Sequence, residues 1–315
     1  MSLWAIILVL VGVIFLAGFN VLKTGLQKGE WQDRSAMVVA VNSFAATIAF
    51  FAMSFILGGP HLSAGWLVPI AITGSLNIIG QFARFRASAL EQASLVEPIQ
   101  STTPAAVIVT GIFILGEYPT WWGWLGIWML VVGSYVLNIQ NVQQRLTELI
   151  AKEGKKPAWW RVYFAPFMAL GKSRGVRWAF VALGLSVFTL PYDGLVVRRA
   201  DVGFGYGCVF AIIGVGNLAI AIATGEHRRG SPVCWWGLLW RGAAIGLPNF
   251  VANALFGFAY QIAVVVYVGT MKRLSIPLTI VLAYIFLGER KSFRQRIVAG
   301  LIMAVGAAAI ALGGK

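Results

Sequence analysis

The chain has 315 residues, of which 59% are hydrophobic and only 11% are charged. Ordinary globular proteins carry about a quarter charged residues, so this composition excludes a soluble fold and favours a protein that is solvated by lipid. The 25 Lys and Arg against 11 Asp and Glu give a net charge of +14. That excess does not require a nucleic-acid partner, because membrane proteins concentrate basic residues in their cytoplasmic loops. With only two His and two Cys, we expect no metal centre, no cofactor and no disulfide framework.

Apolar runs long enough to cross a bilayer follow one another along the whole chain. A spanning helix needs about 20 such residues, and the sequence therefore predicts an all-α polytopic membrane protein with ten transmembrane helices. The first run lacks a basic leader and a small-residue cleavage site, so we expect it to be retained as a span. The predicted spans are 3–22, 36–57, 66–84, 93–115, 120–139, 177–197, 203–224, 236–258, 262–287 and 297–312.

The connection 141–176 differs from the other loops. Val142, Leu146 and Leu149 recur there at helical spacing among polar residues, and the stretch that follows is rich in Trp, Tyr, Phe and basic residues. This mixture is typical of a segment that lies in the lipid headgroup region. We expect an interfacial linker, and a gating lid is the functional alternative.

The basic residues are distributed very unequally between the connections. Nineteen of them lie in the connections after odd-numbered spans or at the ends of those spans, whereas the opposite side has only Arg198, Arg199 and Lys315. The positive-inside rule then predicts that the odd-numbered loops are cytoplasmic and that both termini lie outside.

Two stretches of the chain resemble each other. STTPAAVIVTGIFILGEYPT around the fourth span and RLSIPLTIVLAYIFLGERKS around the ninth are apolar segments with a proline, and both close on Leu-Gly-Glu. They divide the chain into halves of five helices, residues 1–140 and 177–315. Because five is an odd number, the halves would have opposite orientations in the membrane. Such inverted repeats are typical of secondary transporters, which bind solute near the repeat interface.

The phrases ALEQASLVEPIQSTTP…GIFILGE and VVYVGTMKRLSIPLTIVLAYIFLGER resemble the paired EamA domains of the drug/metabolite transporter superfamily. The resemblance implies ten helices in two inverted five-helix repeats, a central cavity lined largely by helices 3, 4, 8 and 9, and alternating access. Ten-helix members usually have both termini in the cytoplasm, so the resemblance and the charge count disagree on orientation. The adjacent Lys272 and Arg273 also resemble a pair in the triose-phosphate and nucleotide-sugar branch, where such residues bind phosphate.

Lys272 and Arg273 lie about ten residues into the ninth span, where a charge costs at least ~2.5–3.5 kcal/mol on insertion scales. Side chains that follow one another on a helix point about 100° apart, so a single carboxylate cannot easily neutralise both cations. We therefore expect the pair to bind solute; the structural alternative is an internal salt bridge.

Glu97 is the main acid within a predicted span, and it precedes Pro98. Aligning the repeats through Pro104 and Pro277 places Glu97 opposite Thr270. A buried carboxyl near a cation could carry a coupling proton, or it could be the static partner of Lys272 or Arg273; both alternatives stay open.

The remaining polar residues of the spans divide into candidates for the site and residues with ordinary structural explanations. Arg84 and Arg86 are expected to reach the headgroups from the end of the third span, Asp193 to pair with Arg198 or Arg199, Asn20 and Lys23 to end the first helix, and Glu117 and Glu289 to terminate helices. Arg241 follows the aromatic cluster CWWGLLW, which favours an interfacial anchor over a ligand. Candidate hydrogen-bonding residues in a cavity are Gln100, Tyr267, Asn77 and Gln81.

The sequence therefore predicts a secondary transporter for a small organic solute, with protons as a co-transported partner or with exchange. The surplus of cations favours an anionic or zwitterionic solute, including phosphorylated ones. The alternatives are an exporter of amino acids or cationic drugs, or an integral membrane enzyme. We expect no enzymatic activity, because His61 and His227 lie in loops on opposite sides of the membrane. The small-residue run GAAAIALGG predicts close helix packing, within the chain or in a homodimer. The predicted location is the bacterial inner membrane.

Overall fold

The computed structural model describes residues 1–27, 34–90, 99, 102–134, 173–226, 235–287 and 293–313, and the secondary structure within these ranges is helical. The helices are α1 Leu3–Gln27, α2 Ser35–Ile56, α3 Leu67–Leu90, α4 Thr103–Leu115, α5 Trp121–Ser134, α6 Arg174–Arg199, α7 Val202–Ala223, α8 Trp235–Ile262, α9 Val265–Met271, α10 Ser275–Leu287 and α11 Phe293–Gly313.

Among the described residues, five helices are long and apolar enough to cross a membrane, namely α1, α2, α6, α7 and most of α8. Three shorter apolar helices accompany them within the described ranges: α4, α5 and the part of α11 from Gly300. This architecture confirms a multi-pass integral membrane protein. The linker 141–176 lies outside the described residues except for its last four, where the Ser173 side chain caps α6 by accepting a hydrogen bond from Val176 N.

Two helices extend further than their apolar runs suggest. The helix α1 continues to Gln27, so Asn20 and Lys23 lie within it and the expected helix end is wrong. The helix α3 continues to Leu90, so Arg84 and Arg86 also lie within a helix. The sequence interpretation took polar residues near the end of an apolar run as the end of the helix. The interior of a helical bundle can also hold such residues, so a helix can continue past them.

The bundle is held by a small set of helix pairs. Extensive contacts join α2 with α7, α3 with α6, and α1 with α8. The next layer of contacts joins α2 with α8, α3 with α7, α1 with α10, and α4 with α6. Most of these pairs join a helix from the first half of the chain to one from the second half, so the main core lies between the halves.

Glycines allow helix backbones to approach closely at two places. The helix α9 lies against Gly111 of α4 through Val266 and against Gly194 of α6 through Val265. Gly126 of α5 and Gly306 of α11 face each other so closely that a Cβ on either would meet the backbone of the other. Gly306 of the last helix therefore packs within the chain, as small residues commonly do between membrane helices, and the homodimer alternative stays a prediction.

The two chain ends lie at the same end of the bundle, which we call the termini face: the Met1 ammonium donates to the Ala311 carbonyl oxygen at 3.4 Å. The connection between α2 and α3 belongs to this face because His61 N donates to Asp201 Oδ2 at 3.1 Å and Ser63 N to the Arg199 carbonyl at 2.7 Å. At the other end of the bundle, the buried Glu226 carboxylate accepts from the N–H groups of Ala36 and Met37, which begin α2.

Candidate solute-binding site

The ninth predicted span is interrupted in the middle. The helix α9 ends at Met271, residues Lys272–Leu274 form a 3₁₀ turn, and α10 begins at Ser275. Pro277 explains the change of geometry, because it lacks the N–H that would bond the carbonyl of Arg273 four residues earlier. A 3₁₀ turn within a helix commonly marks a hinge or a functional site, and this one contains the two cations that the sequence singled out.

The Lys272 ammonium rests against two aromatic rings of α8. Its Nζ atom lies 4.4 Å from the centroid of the Phe256 ring and 4.8 Å from that of Tyr260. The two aromatic residues are four positions apart and so share one face of α8, and both rings are almost fully buried. Cation–π contacts of this kind attract a desolvated cation, which explains how an ammonium is tolerated here.

Asp193 of α6 faces the same place. Its carboxylate accepts a hydrogen bond from Thr73 of α3 and is within electrostatic range of Lys272. The expectation that Asp193 pairs with Arg198 or Arg199 is wrong, because Arg198 Nη2 lies 2.7 Å from Glu117 Oε1 and Arg199 Nη1 donates to the Gly65 carbonyl oxygen at 3.3 Å. Asp193 therefore belongs to a central polar cluster with Lys272, Thr73 and Tyr260.

Pro191 of α6 and Thr110 of the neighbouring α4 help to position Asp193. Pro191 has no N–H for the carbonyl of Val187, four residues earlier. Thr110 of α4 replaces that donor, with its Oγ1 atom 2.7 Å from the Val187 carbonyl oxygen. This bond ties α6 to α4 at Val187, six residues before Asp193.

A row of polar residues runs along one face of α3, from Thr73 of the central polar cluster to Arg84. Thr73, Asn77 and Gln81 recur every four residues and so lie on one face of the helix, and Arg84 continues that face. The Arg84 side chain donates to Ser186 Oγ of α6 at 3.0 Å, so the expectation that Arg84 reaches the headgroups is wrong. Asn77 and Gln81 are half-buried between two residues that contact α6, and their expected place beside a cavity stays a prediction.

The other candidate residues are distributed more widely. Tyr267 is fully buried, but its hydroxyl accepts from Thr120 N at 2.7 Å, at the start of α5. Arg241 is exposed near the beginning of α8, a position that suits the interfacial anchor indicated by its aromatic neighbours. Glu97 and Gln100 lie outside the described residues, and so does Glu289.

Arg198 connects the central polar cluster with the termini face. Its side chain bonds Glu117 and donates through Nε to the Tyr260 carbonyl oxygen at 3.2 Å. A recess of about 540 Å³ opens beside this arginine, lined by residues that include Met1, Glu117, Gln261 and Leu312. Tyr260, whose ring contacts Lys272, thus directly precedes Gln261, one of the residues that line the recess.

Glu117 has a structural role in this arrangement. Besides the bond to Arg198, its Oε2 atom accepts from Val265 N at 2.8 Å, at the first residue of α9. A carboxylate at a helix N-terminus satisfies an unpaired N–H and favourably opposes the helix dipole. The interpretation of Glu117 as a terminator agrees with this geometry, but the helix that it caps belongs to the other half of the chain.

Sequence reasoning treated Asp193 as peripheral and did not consider Tyr260, Phe256 or Thr73. One signal could have identified the aspartate. Pro191 lies two residues before it within an apolar run, and a proline inside a helix removes a backbone hydrogen bond near it. The aromatic and threonine residues have no such signal, because nothing in an apolar run shows which of its faces meets a lysine on another helix.

Comparison with known proteins agrees with this architecture. Residues 3–139 match the EamA-like transporter family. A solved protein crystal structure superposes on this chain with a TM-score of 0.69 and 16% sequence identity, covering 98% of this chain and 96% of the other, which shows a shared fold. No curated protein matches the chain significantly. The protein is thus a multi-pass integral membrane protein whose residues 3–139 form an EamA-like transporter domain of the drug/metabolite transporter superfamily.

Proposed function

We propose that the protein is a secondary transporter that moves a small anionic or zwitterionic organic solute by alternating access, with proton coupling or exchange. The observation that carries this proposal is the Lys272–Arg273 pair in the 3₁₀ turn of the ninth span, deep among helices from both halves of the chain. Discontinuous helices commonly form the solute sites of secondary transporters.

The charges around the central polar cluster favour an anion. Arg273 and Arg84 lie within electrostatic range of Lys272, and Asp193 is the acid in range of Lys272 among the described residues. A carboxylate or phosphate would interact favourably with these cations, and an arginine can grip either group with two parallel hydrogen bonds. Asn77 and Gln81 would add neutral hydrogen bonds, with Glu97 and Gln100 as further candidates.

The packing of the helices supports two related halves. If the first five spans exchange places with the last five, α1 corresponds to α6, α2 to α7, α3 to α8, and α4 to α9 with α10. The contact of α3 with α6 then becomes that of α8 with α1, and the contact of α3 with α7 becomes that of α8 with α2. A bundle whose contacts correspond in this way can open at either end by equivalent rearrangements, as alternating access requires.

The proposal is tested by binding to purified protein. Malate, glutamate and inorganic phosphate represent carboxylate, zwitterionic and phosphorylated solutes, and a specific binder raises the unfolding temperature in proportion to occupancy. Lys272→Ala and Arg273→Lys should each weaken binding about tenfold or more, since charge-assisted hydrogen bonds contribute ~1.5–3 kcal/mol. Arg174→Ala, which removes an exposed cation at the start of α6, is the matched control. Binding of none of the probes, or equal binding by the Lys272 and Arg174 variants, would refute the anion site.

Transport itself is tested in sealed vesicles with the labelled probe that binds. Uptake should be faster with a pH gradient or with unlabelled solute inside, which distinguishes a coupled transporter from a channel. Uptake that simply follows the solute gradient and is indifferent to both would contradict the proposal.

We further propose a bacterial inner-membrane location with the termini face outside. The support is the charge distribution, nineteen basic residues against three, with Arg198 and Arg199 at the termini face. A cysteine in place of Lys155 should resist a membrane-impermeant thiol reagent in intact cells. Ready labelling would show that the orientation is the reverse of the proposed one, and it would not bear on the proposed solute-binding site.

A further inference from the structure

Asp193 lies where helices from both halves of the protein converge. It accepts a hydrogen bond from Thr73 of α3, and its charge interacts with Lys272 in the 3₁₀ turn. It is also within electrostatic range of Tyr206 of α7 and Tyr260 of α8. The helix α6 packs against α3, α7 and α8, and Gly194, the residue after Asp193, lies against Val265 of α9, so the carboxylate lies inside the bundle.

The ionisable groups around this carboxylate can be named element by element within the described residues. The helix α7 contributes Tyr206, α8 contributes Tyr260, and the 3₁₀ turn contributes Lys272, which is itself within electrostatic range of Arg273 and of Arg84 of α3. The helix α4, which also packs on α6, has no ionisable side chain between Thr103 and Leu115. The charged form of Asp193 thus depends chiefly on Lys272.

More contacts stabilise the charged form of Lys272 than stabilise the charged form of Asp193. The ammonium contacts the Phe256 and Tyr260 rings at 4.4 and 4.8 Å, and an anionic solute would stabilise it further. The same solute would repel the carboxylate and occupy its counter-ion. When an anion enters, the extra proton is therefore expected on Asp193, whereas Lys272 keeps its own.

Tyr260 supplies a second, independent indication that a ligand enters here. The side chain is 0% exposed, and its hydroxyl is buried without a hydrogen-bond partner among the described residues. A buried hydroxyl without a partner is costly, and such groups in native structures call for an explanation. An anionic group bound to Lys272 above the Tyr260 ring would lie near this donor.

We propose that Asp193 is the proton-coupling carboxyl of the transporter: binding of a solute anion to Lys272 is accompanied by uptake of one proton on Asp193, and both leave together on the other side. The proton comes from the aqueous phase to which the site is open, so that each monoanion crosses with one positive charge and the step is electrically neutral. The inference rests on the proposed anion site, and it assigns the coupling role to Asp193, a residue distinct from Glu97.

The test measures protons during binding. Purified wild-type protein in weakly buffered detergent solution with a pH-indicator dye is titrated with malate, whose carboxylates stay ionised at neutral pH. The expected uptake is about one proton per bound malate, and it should disappear in Asp193→Asn while malate still binds. Glu117→Gln, which removes a carboxyl outside the cluster, should keep the proton uptake and serves as the control.

A second measurement works without a variant. Infrared difference spectra of the wild-type protein with and without malate should gain the band of a protonated carboxylic acid, and this band should be lost in Asp193→Asn if that variant folds. Malate binding to wild type without proton uptake and without the band overturns the coupling role while leaving the anion site intact. Undiminished proton uptake by Asp193→Asn also overturns it, whereas malate binding that does not depend on Lys272 refutes the anion site itself.

Discussion

Two acids of this membrane protein, Glu117 and Asp193, are used in different ways. Both oxygens of Glu117 are engaged at 2.7 and 2.8 Å, one by the Arg198 guanidinium and one by the first N–H of α9. Asp193 has the Thr73 hydroxyl and the charge of Lys272 within range, and it interacts electrostatically with Tyr260, whose hydroxyl has no hydrogen-bond partner among the described residues. Glu117 therefore has a structural role, whereas Asp193 is free to change its protonation state without breaking a helix cap or an ion pair with an arginine.

The same contrast separates other polar groups of the interior. Thr110 and Tyr267 each complete a hydrogen bond that the helix geometry requires, whereas Tyr260 completes none among the described residues. Because an unsatisfied buried group costs free energy and a satisfied one does not, stability measurements should distinguish the two sets. The engaged groups should be costly to remove and the groups of the central polar cluster should not.

The largest difference is expected between Glu117→Ala and Asp193→Asn. The alanine variant loses a helix cap and a charge-assisted bond, and it should lower the free energy of unfolding by about 2–3 kcal/mol, a sum reduced because Arg198 is 33% exposed. Asp193→Asn keeps an acceptor for Thr73 and should change stability much less. Thermal unfolding in detergent measures both. An equal loss in the two variants would erase the distinction between a structural and a functional acid.

A smaller effect is expected at Thr110. Thr110→Val removes the donor that satisfies the carbonyl freed by Pro191 and should cost about 1–2 kcal/mol. In a Pro191→Ala background the α6 backbone can supply its own N–H, so the same change should cost little. The two single variants and the double variant form a cycle that isolates this coupling. Additive losses would show that Thr110 acts elsewhere.

The smallest pair of effects concerns two buried tyrosines. Tyr267→Phe deprives Thr120 N of its acceptor and should cost about 1 kcal/mol. Tyr260→Phe removes a hydroxyl without a partner, keeps the ring under Lys272, and should leave stability unchanged or slightly higher. If Tyr260→Phe proves the more damaging change in the solute-free protein, its hydroxyl already has a structural partner and our interpretation of it is wrong.

The sequence predicted those features of the fold that follow from apolar runs and prolines. The apolar character of the helices and the position of Lys272 within an apolar run can be seen in one segment at a time. The resemblance to the EamA family was also visible in short phrases and is confirmed for residues 3–139.

The partners of each polar residue could not be predicted in the same way. Asp193 was assigned to the nearest arginines in the sequence, whereas the chain brings Arg198 to Glu117 and Asp193 to Thr73, 120 residues earlier. Arg84 was read as an interfacial residue because it follows an apolar run, although Ser186 of α6 accepts its hydrogen bond. Such pairings depend on which helix faces which, and a single sequence does not contain that information directly.

The engaged bonds also have a consequence for the order in which the protein is made. Glu117, Thr110, Thr120 and Arg84 belong to the part of the chain that is synthesised first, but their partners Arg198, Val187, Tyr267 and Ser186 emerge from the ribosome 77 to 147 residues later. Until then, water, lipid headgroups or a chaperone must supply the hydrogen-bond partners of these groups. A nascent chain that stops near residue 140 would therefore be a folding intermediate with open polar contacts, and the cell's membrane quality control would encounter it as such.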